Sequence, residues 1–351
     1  MSKSHANIPD KITNAATRKV INMNSMNSSH YSNASRSTHP SPGKAQGTPN
    51  WTLTPTGQIL GARIDGFDLS RPMQDLEVRA IIMALGQYGV ISFSKQNLSA
   101  QGLKDFSANF GELEINVANM YQAPGIPEVM ILSNMKKDGV AVGIADAGQD
   151  WHTDMSYSRM IAFSNVLHGI QIPVRDGMSL GNTEFSCMKS AYQSLSDKWK
   201  ETLDGCTATH DFEKFWNKMR FEKGSTRPPL TAQQKASKPP VNHPLVMEHP
   251  ITHEKVLYAN PGYATRINEM EQSQSDVALA HLFEHQLQPR FRYQHVWQEG
   301  DVLMWDNFGT IHNAVADYTP DEPRYIHRCQ VMATRFFNAD GTPKTRQATG
   351  F

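Results

Sequence analysis

Two hydrophobic periods alternate along this chain. At 76–89, LEVRAIIMALGQYG places apolar residues three and four apart and stops at a glycine, which predicts an amphipathic helix. GVISFS at 89–94 follows as a strand. SAQGLKDFSANFGEL then predicts a second helix, capped by Ser99, with Leu103, Phe106 and Phe110 on one face. Ahead of both, WTLTPTGQILGARIDGF reads as short strands broken by glycine and proline. From about 150 on, β-rich runs dominate: IAFSNVLHGI, KVLYANPGY, FRYQHVWQEGDVLMWDN and RYIHRCQVMATRFF. Helical stretches near 188–204 and 274–288 interrupt them. The polar, proline-rich 216–245 predicts a long loop, and loops of that size in a compact domain are often lids over sites. Many short strands with few helices predict an α+β chain: a β-sandwich or barrel carrying helices on one side.

Composition changes this picture at one end. Residues 1–48 are rich in Ser, Asn and Gly and poor in large apolar groups. Such a stretch cannot bury enough surface to offset its ordering entropy, which predicts a disordered tail in which His5, His30 and His39 are solvated. Residues 49–351 are left as one domain. The tail lacks the apolar face an organelle transit peptide needs, and no secretory pattern opens the chain. Lysine plus arginine and aspartate plus glutamate each number 34, so nothing points to nucleic acid or to a charged membrane surface. Apolar runs such as AIIMAL at 80–85 are too short to span a bilayer. Cys187, Cys206 and Cys329 are odd in number and form no CxxC, which argues against a disulfide framework or a cysteine zinc site. The expected location is the reducing cytoplasm.

Which of the 14 histidines matter is the chemical question. In Trp151-His152-Thr153-Asp154, a strand would put His152 and Asp154 on one face, although an isolated HxD is common by chance. GDVLMWDNFGTIHNAVADY at 300–318 reads as strand, turn and a second short strand bearing His312, which alone would pass for a core histidine. In PRYIHRCQVMATRF, Arg324, Ile326, Arg328 and Gln330 share one strand face. Arginine is almost never fully buried unpaired, and its planar fork matches a carboxylate bidentately. Two histidines and one carboxylate form the facial triad of non-haem iron(II) oxygenases. A 2-oxoglutarate cosubstrate asks for an arginine at its distal carboxylate, which the strand after His312 supplies.

With these residues, the chain resembles the taurine dioxygenase (TauD/TfdA) family of Fe(II)- and 2-oxoglutarate-dependent dioxygenases from about Trp51 to Phe337. The motifs are FGELEIN at 110–116, WHTDMSY at 151–157, GNTEF at 181–185, LYANPGYATRI at 257–267, WDNFGTIHNAVADY at 305–318 and RYIHR at 324–328. The resemblance implies a double-stranded β-helix (jelly-roll) core with flanking helices. It implies iron(II) on His152, Asp154 and His312, 2-oxoglutarate held by Arg324 beside the Thr183 hydroxyl, and a small substrate met by Arg328 and walled by Phe212. Asn116 stands where the taurine enzyme has a histidine for the sulfonate, so the anion site is kept while taurine itself is in doubt. Arg324 also sits one residue later after His312 than in the taurine enzyme, which a longer turn absorbs. The implied reaction uses O2, releases succinate and carbon dioxide, and hydroxylates a C–H bond of a small anion (sulfonate, carboxylate, phosphonate or amino-acid-like). Retention of Asp154 favours hydroxylation over halogenation. Relatives commonly self-associate, but the sequence does not give an oligomeric state.

One rival reading comes from His281-Leu282-Phe283-Glu284-His285, an H-x-x-E-H pattern on a predicted helix, which would make a zinc metallohydrolase with Glu284 as base. Zinc would need a third ligand from another element, and no distinct motif supplies one; otherwise these are solvated histidines of a surface helix. His168 is expected to be a satisfied core histidine, and His210 and His243 structural or exposed. His249 and His253 flank a turn and read as surface. Trp151 and Trp305 are expected to pack beside the ligands and fix their orientation.

Overall fold

The computed structural model describes residues 51–115, 121–225 and 227–351. The expected disordered tail, with His5, His30 and His39, and the Asn116 position both lie outside these residues. The chain opens with β1 (Thr52–Pro55), β2 (Ala62–Asp65), α1 (Asp75–Tyr88), β3 (Val90–Phe93) and α2 (Ala100–Ala108). There follow β4 (Gln122–Ala123), β5 (Ile126–Ser133), β6 (Ala162–Gln171) and β7 (Thr183–Cys187). An insertion carries β8 (Thr207–His210), α3 (Phe212–Glu222), β9 (Val241–Pro244), β10 (Ala264–Ile267) and α4 (Gln272–Gln286). The chain returns through β11 (Arg292–His295), β12 (Val302–Asp306), β13 (Thr310–Ala314) and β14 (Tyr325–Met332).

Both early helices form where the periodicity places them. A capping box between Gln74 and Glu77 starts α1, and Gly89 at φ 68° ends it by donating its N–H to the Leu85 carbonyl. The Ser99 hydroxyl accepts the Gly102 N–H at 3.0 Å and starts α2. Each helix buries one stripe: Val78, Ile81, Ile82, Ala84 and Leu85 on α1, and Leu103 and Phe106 on α2.

An eight-stranded sheet runs β1-β2-β3-β12-β6-β14-β5-β4, antiparallel except where β2 meets β3. A smaller sheet runs β11-β7-β13. Period two divides each central strand between two cores. Ile91, Phe93, Val166, Met304, Cys329 and Val331 face α1 and α2. Val90, Leu167, Leu303, Trp305 and Ile326 face the other way and interdigitate with Phe185 and Cys187 of the small sheet. This two-sheet core with helices on one outer face is the expected jelly roll.

A single turn moves the chain from the large sheet to the small one. The Asp306 carboxylate accepts the N–H groups of Phe308 and Gly309, each at 2.9 Å. The same carboxylate accepts His249 Nε2–H at 2.8 Å. His249 Nδ1 accepts from Ile251 N and Thr252 N, so its proton must sit on Nε2. A Cβ at Gly309 would lie 2.7 Å from the Asp306 carboxylate, so only glycine fits there.

Several local expectations are corrected. His249 is 2% exposed instead of lying on the surface, because the turn's carboxylate needs a buried donor. The long loop expected at 216–245 holds the end of α3, a short helix Ala232–Ser237 and β9. Caps at Asp211 and Thr231 start these helices and override the polar composition. The stretch 188–204 is two helices, Met188–Gln193 and Asp197–Leu203, because the Ser196 hydroxyl caps the second. His210 and His243 are buried in the insertion sheet, where His243 Nε2 meets the Ser158 carbonyl at 3.0 Å. His168 is the core histidine that was expected: it is buried, pairs with His327 across β6 and β14, and its Nε2 meets the Gln96 carbonyl at 3.3 Å.

Two predictions follow from this packing. Phe106, 2% exposed and edge-on to both Phe93 and Phe110, fills the space between α2 and the sheet. Phe106→Ala should cost about 3–5 kcal/mol in urea unfolding. Leu76→Ala, at a residue 58% exposed, should change stability by less than about 0.5 kcal/mol. Equal effects would contradict the assigned core. The second concerns pH. Burial lowers the pKa of His168, His210 and His243, and pushes His327 down to about 4. Their unfolded values lie near ~6.5, so the unfolded chain binds more protons below that pH. Stability should therefore fall as pH drops from 7.5 to 5.5, and His327→Gln should shallow the slope. Urea midpoints at three pH values decide it; stability that is flat or rises as pH falls would contradict the lowered histidine pKa values.

Candidate active site

His152 and His312 lie on segments 160 positions apart in sequence, yet their backbones pair reciprocally. His152 N–H donates to the His312 carbonyl at 3.0 Å, and His312 N–H donates back at 2.8 Å. Directly opposed residues in such a pair send their side chains to the same face, and the two rings stand 4.3 Å apart. The segment bearing His152 thus extends the small sheet beside β13.

Asp154 does not arrive by strand alternation, as the sequence suggested. The chain turns immediately after His152. Asp150 at φ 134° and Met155 at φ 57° flank the motif, both in the region L-residues rarely adopt. The turn brings Asp154 back against both rings: its Oδ2 is 3.4 Å from His312 Nε2 and its Oδ1 is 3.8 Å from His152 Nε2. Ligand atoms of the three residues all lie within 4.8 Å of one another, and all three residues are buried. They form the one such histidine–carboxylate group among the described residues.

The imidazole edges are set by their neighbours. His152 Nδ1 donates to the Asp150 carbonyl at 2.7 Å, which leaves the Nε2 lone pair facing Asp154. Asp150 is itself anchored by an N–H bond to the Asn313 side chain at 2.8 Å and an ion pair with Lys218 of α3. Phe215 of α3 packs on the His152 ring at 4.9 Å, and Trp305 packs on His312 at 4.7 Å. Trp305 thus does what was expected of it. Trp151 turns away into the main core under the Arg292 guanidinium.

The electrostatics keep both forms ready for a cation. Burial, reinforced by His312, pushes His152 down to about 4, so its ring is neutral near pH 7. Burial works to raise the Asp154 carboxyl, but Arg328 and the two imidazoles outweigh it and hold it well below the usual carboxylate range. Arg328, on the inner face of β14, meets Asp154 Oδ1 at 3.0 Å. Asn165 on β6 joins the two: its Nδ2 donates to Asp154 at 2.8 Å and its Oδ1 accepts Arg328 Nε at 2.9 Å. Sequence reasoning missed Asn165. The available signal was an amide in the mostly apolar run IAFSNVLHGI.

Arg324 lies one residue ahead of β14 and is 6% exposed. Its guanidinium bonds the Gly181 carbonyl at 3.3 Å and approaches the Tyr318 ring, while Nε has no partner among the described residues. Burial lowers its pKa. A Cβ at Gly181, where φ is +67°, would come 2.7 Å from Arg324 Nε. Two residues on, the Thr183 hydroxyl accepts Trp297 Nε1–H at 3.0 Å, so its own hydrogen is free to donate. A buried arginine with no carboxylate at ion-pair distance among the described residues, beside a free hydroxyl, fits the distal carboxylate of a dicarboxylic acid. The two-imidazole, one-carboxylate donor set fits a divalent metal with open positions.

Phe212 begins α3 and stacks 4.7 Å from Tyr157, which packs 4.8 Å from Tyr263, itself 6.1 Å from His152. These rings make an aromatic wall over the three residues. The HLFEH segment builds nothing comparable. His281 is exposed and stacks on Trp199, whereas His285 is buried, against expectation, and meets the Ala191 carbonyl at 2.8 Å.

Comparison with known proteins agrees with this geometry. The family model described as Taurine catabolism dioxygenase TauD, TfdA family matches residues 52–330. The chain is 32% identical over 288 residues to the alpha-ketoglutarate-dependent 2,4-dichlorophenoxyacetate dioxygenase of a Burkholderia species, covering 79% of this chain and 93% of that protein. It is 30% identical over 284 residues to pentalenolactone F synthase of Streptomyces avermitilis, covering 78% and 90%. The crystal structure of a taurine dioxygenase from Burkholderia xenovorans superimposes with a TM-score of 0.66 at 28% identity, covering 86% of this chain and 98% of that one. Among the described residues no helix is long and apolar enough to cross a membrane. The chain belongs to the TauD/TfdA family of Fe(II)- and 2-oxoglutarate-dependent dioxygenases.

Proposed function

We propose that His152, Asp154 and His312 hold iron(II), that Arg324 and Thr183 hold the distal carboxylate of 2-oxoglutarate, and that the chain hydroxylates a small anion with an apolar body. The observation that carries this reading is the convergence of the three ligand atoms within 4.8 Å in one buried site. When bound, the metal, 2-oxoglutarate and O2 supply the oxidising chemistry, with succinate and carbon dioxide as co-products. The protein's own groups orient and exclude. Asp150 keeps the His152 lone pair inward. Asn165 and Arg328 fix Asp154. Phe215, Tyr263, Tyr157 and Phe212 shield the site from water and offer ring faces to the substrate's body. Burial pushes both phenols far above the ordinary tyrosine value, so they stay neutral. Arg328, held by Asp154 and Asn165, adds positive potential that attracts an anionic substrate into the site. The proteins named for 2,4-dichlorophenoxyacetate and taurine are named for molecules that carry a carboxylate and a sulfonate group, which supports this class. With no third ligand brought to His281 and His285 among the described residues, nothing supports the zinc hydrolase.

Anaerobic addition of iron(II) and then 2-oxoglutarate should give the visible charge-transfer band of a chelated complex. His152→Ala, Asp154→Ala and His312→Ala should each abolish the band and turnover. Wild-type activity in any of the three would sink the metal assignment. Arg324→Ala should raise the KM for 2-oxoglutarate by at least about tenfold, with a smaller effect on the organic substrate, because it leaves a dicarboxylate without its buried partner. Arg328→Ala should show the opposite ordering of the two KM values. An identical pattern in both variants would break this division of roles.

A further inference from the structure

One cation at this site has no role in the reading above. Lys238 follows the short helix Ala232–Ser237, in the segment where the sequence suggests a lid. Its Nζ lies 5.0 Å from the centre of the Tyr157 ring and 5.5 Å from that of Phe212. From Tyr157 the wall continues to Tyr263 and then to His152, so two rings separate this ammonium from a ligand imidazole. Lysine usually lets its charged end snorkel into water. Here the side chain is only partly exposed, and burial lowers its pKa while Glu114 opposes that shift. Burial raises the Glu114 carboxyl in turn, and Lys238 counters it. Among the described residues no carboxylate comes within ion-pair distance of Nζ. Ring faces offset only part of the cost of desolvating an ammonium. Two further cations act on the wall: Arg328 is already engaged by Asp154 at 3.0 Å and Asn165 at 2.9 Å, and Arg227 is paired with Asp146 at 2.8 Å.

We propose that Lys238 is a specificity-determining residue whose ammonium pairs with the anionic head of the substrate at the outer end of the aromatic wall. Favoured substrates are then elongated anions. An apolar body lies along Tyr157, Phe212 and Tyr263, and the charged head is separated from the carbon presented to the metal ligands. Glu114 opposes the effect of burial on Lys238 and disfavours a second negative charge at the same place. The inference rests on the reading of this chamber as the substrate site.

The test is calorimetric binding to the full-length protein loaded with manganese(II) and N-oxalylglycine, which cannot turn over. The probes are 2,4-dichlorophenoxyacetate, hexyl sulfate and the methyl ester of the first. Lys238→Ala should weaken the tighter of the two anions by about tenfold, less at high salt. Lys238→Arg should restore most of that affinity, and neither variant should change binding of the ester or of N-oxalylglycine. Undiminished anion binding in Lys238→Ala, or equal losses for anion and ester, would overturn the proposal in favour of a lysine that only packs the lid. So would a wild-type complex that takes up manganese and N-oxalylglycine but neither anion. Failure to bind manganese and N-oxalylglycine at all would instead bring down the metal and cosubstrate assignment, and this inference with it.

Discussion

The site depends on two backbone hydrogen bonds between His152 and His312. They fix the facing of the two imidazoles more strongly than any side-chain contact could, because a slip of one residue would turn one ring to the opposite face. The rest of the architecture serves that pairing from both sides. The Asp306 carboxylate, held by His249, closes the turn that delivers β13 to the small sheet. On the other side, Asp150 accepts a ring proton, anchors to Asn313 and pairs with Lys218, so the loop before His152 is tied to both the sheet and α3.

Charge balance is the second constraint. Burying a carboxylate and two imidazoles together is costly unless each is oriented and neutralised. Arg328 and Asn165 meet that demand from the inner faces of β14 and β6, which pair along most of their length. Arg324 is the reverse case: a buried cation with no carboxylate at ion-pair distance among the described residues. A polar group in that condition marks where a ligand completes the structure. The insertion between β7 and β11 adds the roof, since Phe212 and Phe215 on α3, Tyr263 before β10 and Lys238 beyond the short helix come from separate pieces of it.

The early helices and most central strands were legible because their apolar periods agree with the face that each buries, as in Ile81, Ile82 and Leu85 or Leu303 and Trp305. The insertion was less legible. Its composition is polar, and its helices are started by single capping side chains, Asp211 and Thr231, instead of a long hydrophobic stripe. His249 was misread for a related reason: the acid that buries it, Asp306, is 57 positions away.

The sequence alone determined which residues are the candidates for the chemistry. Histidine, aspartate and arginine in WHTD, WDN…H and RxxxR are distinctive as residue types in a fixed order, and order survives without coordinates. It also determined the fold class, since periodicity is a local property of the chain. Only the tertiary structure decided how Asp154 reaches the histidines, through a strained turn instead of a strand. It alone placed Asn165 between Asp154 and Arg328, left Arg324 Nε buried without a partner among the described residues, and laid Lys238 on the aromatic wall. These are relations between residues far apart in the chain. Their energies come from burial and distance, which no local pattern encodes.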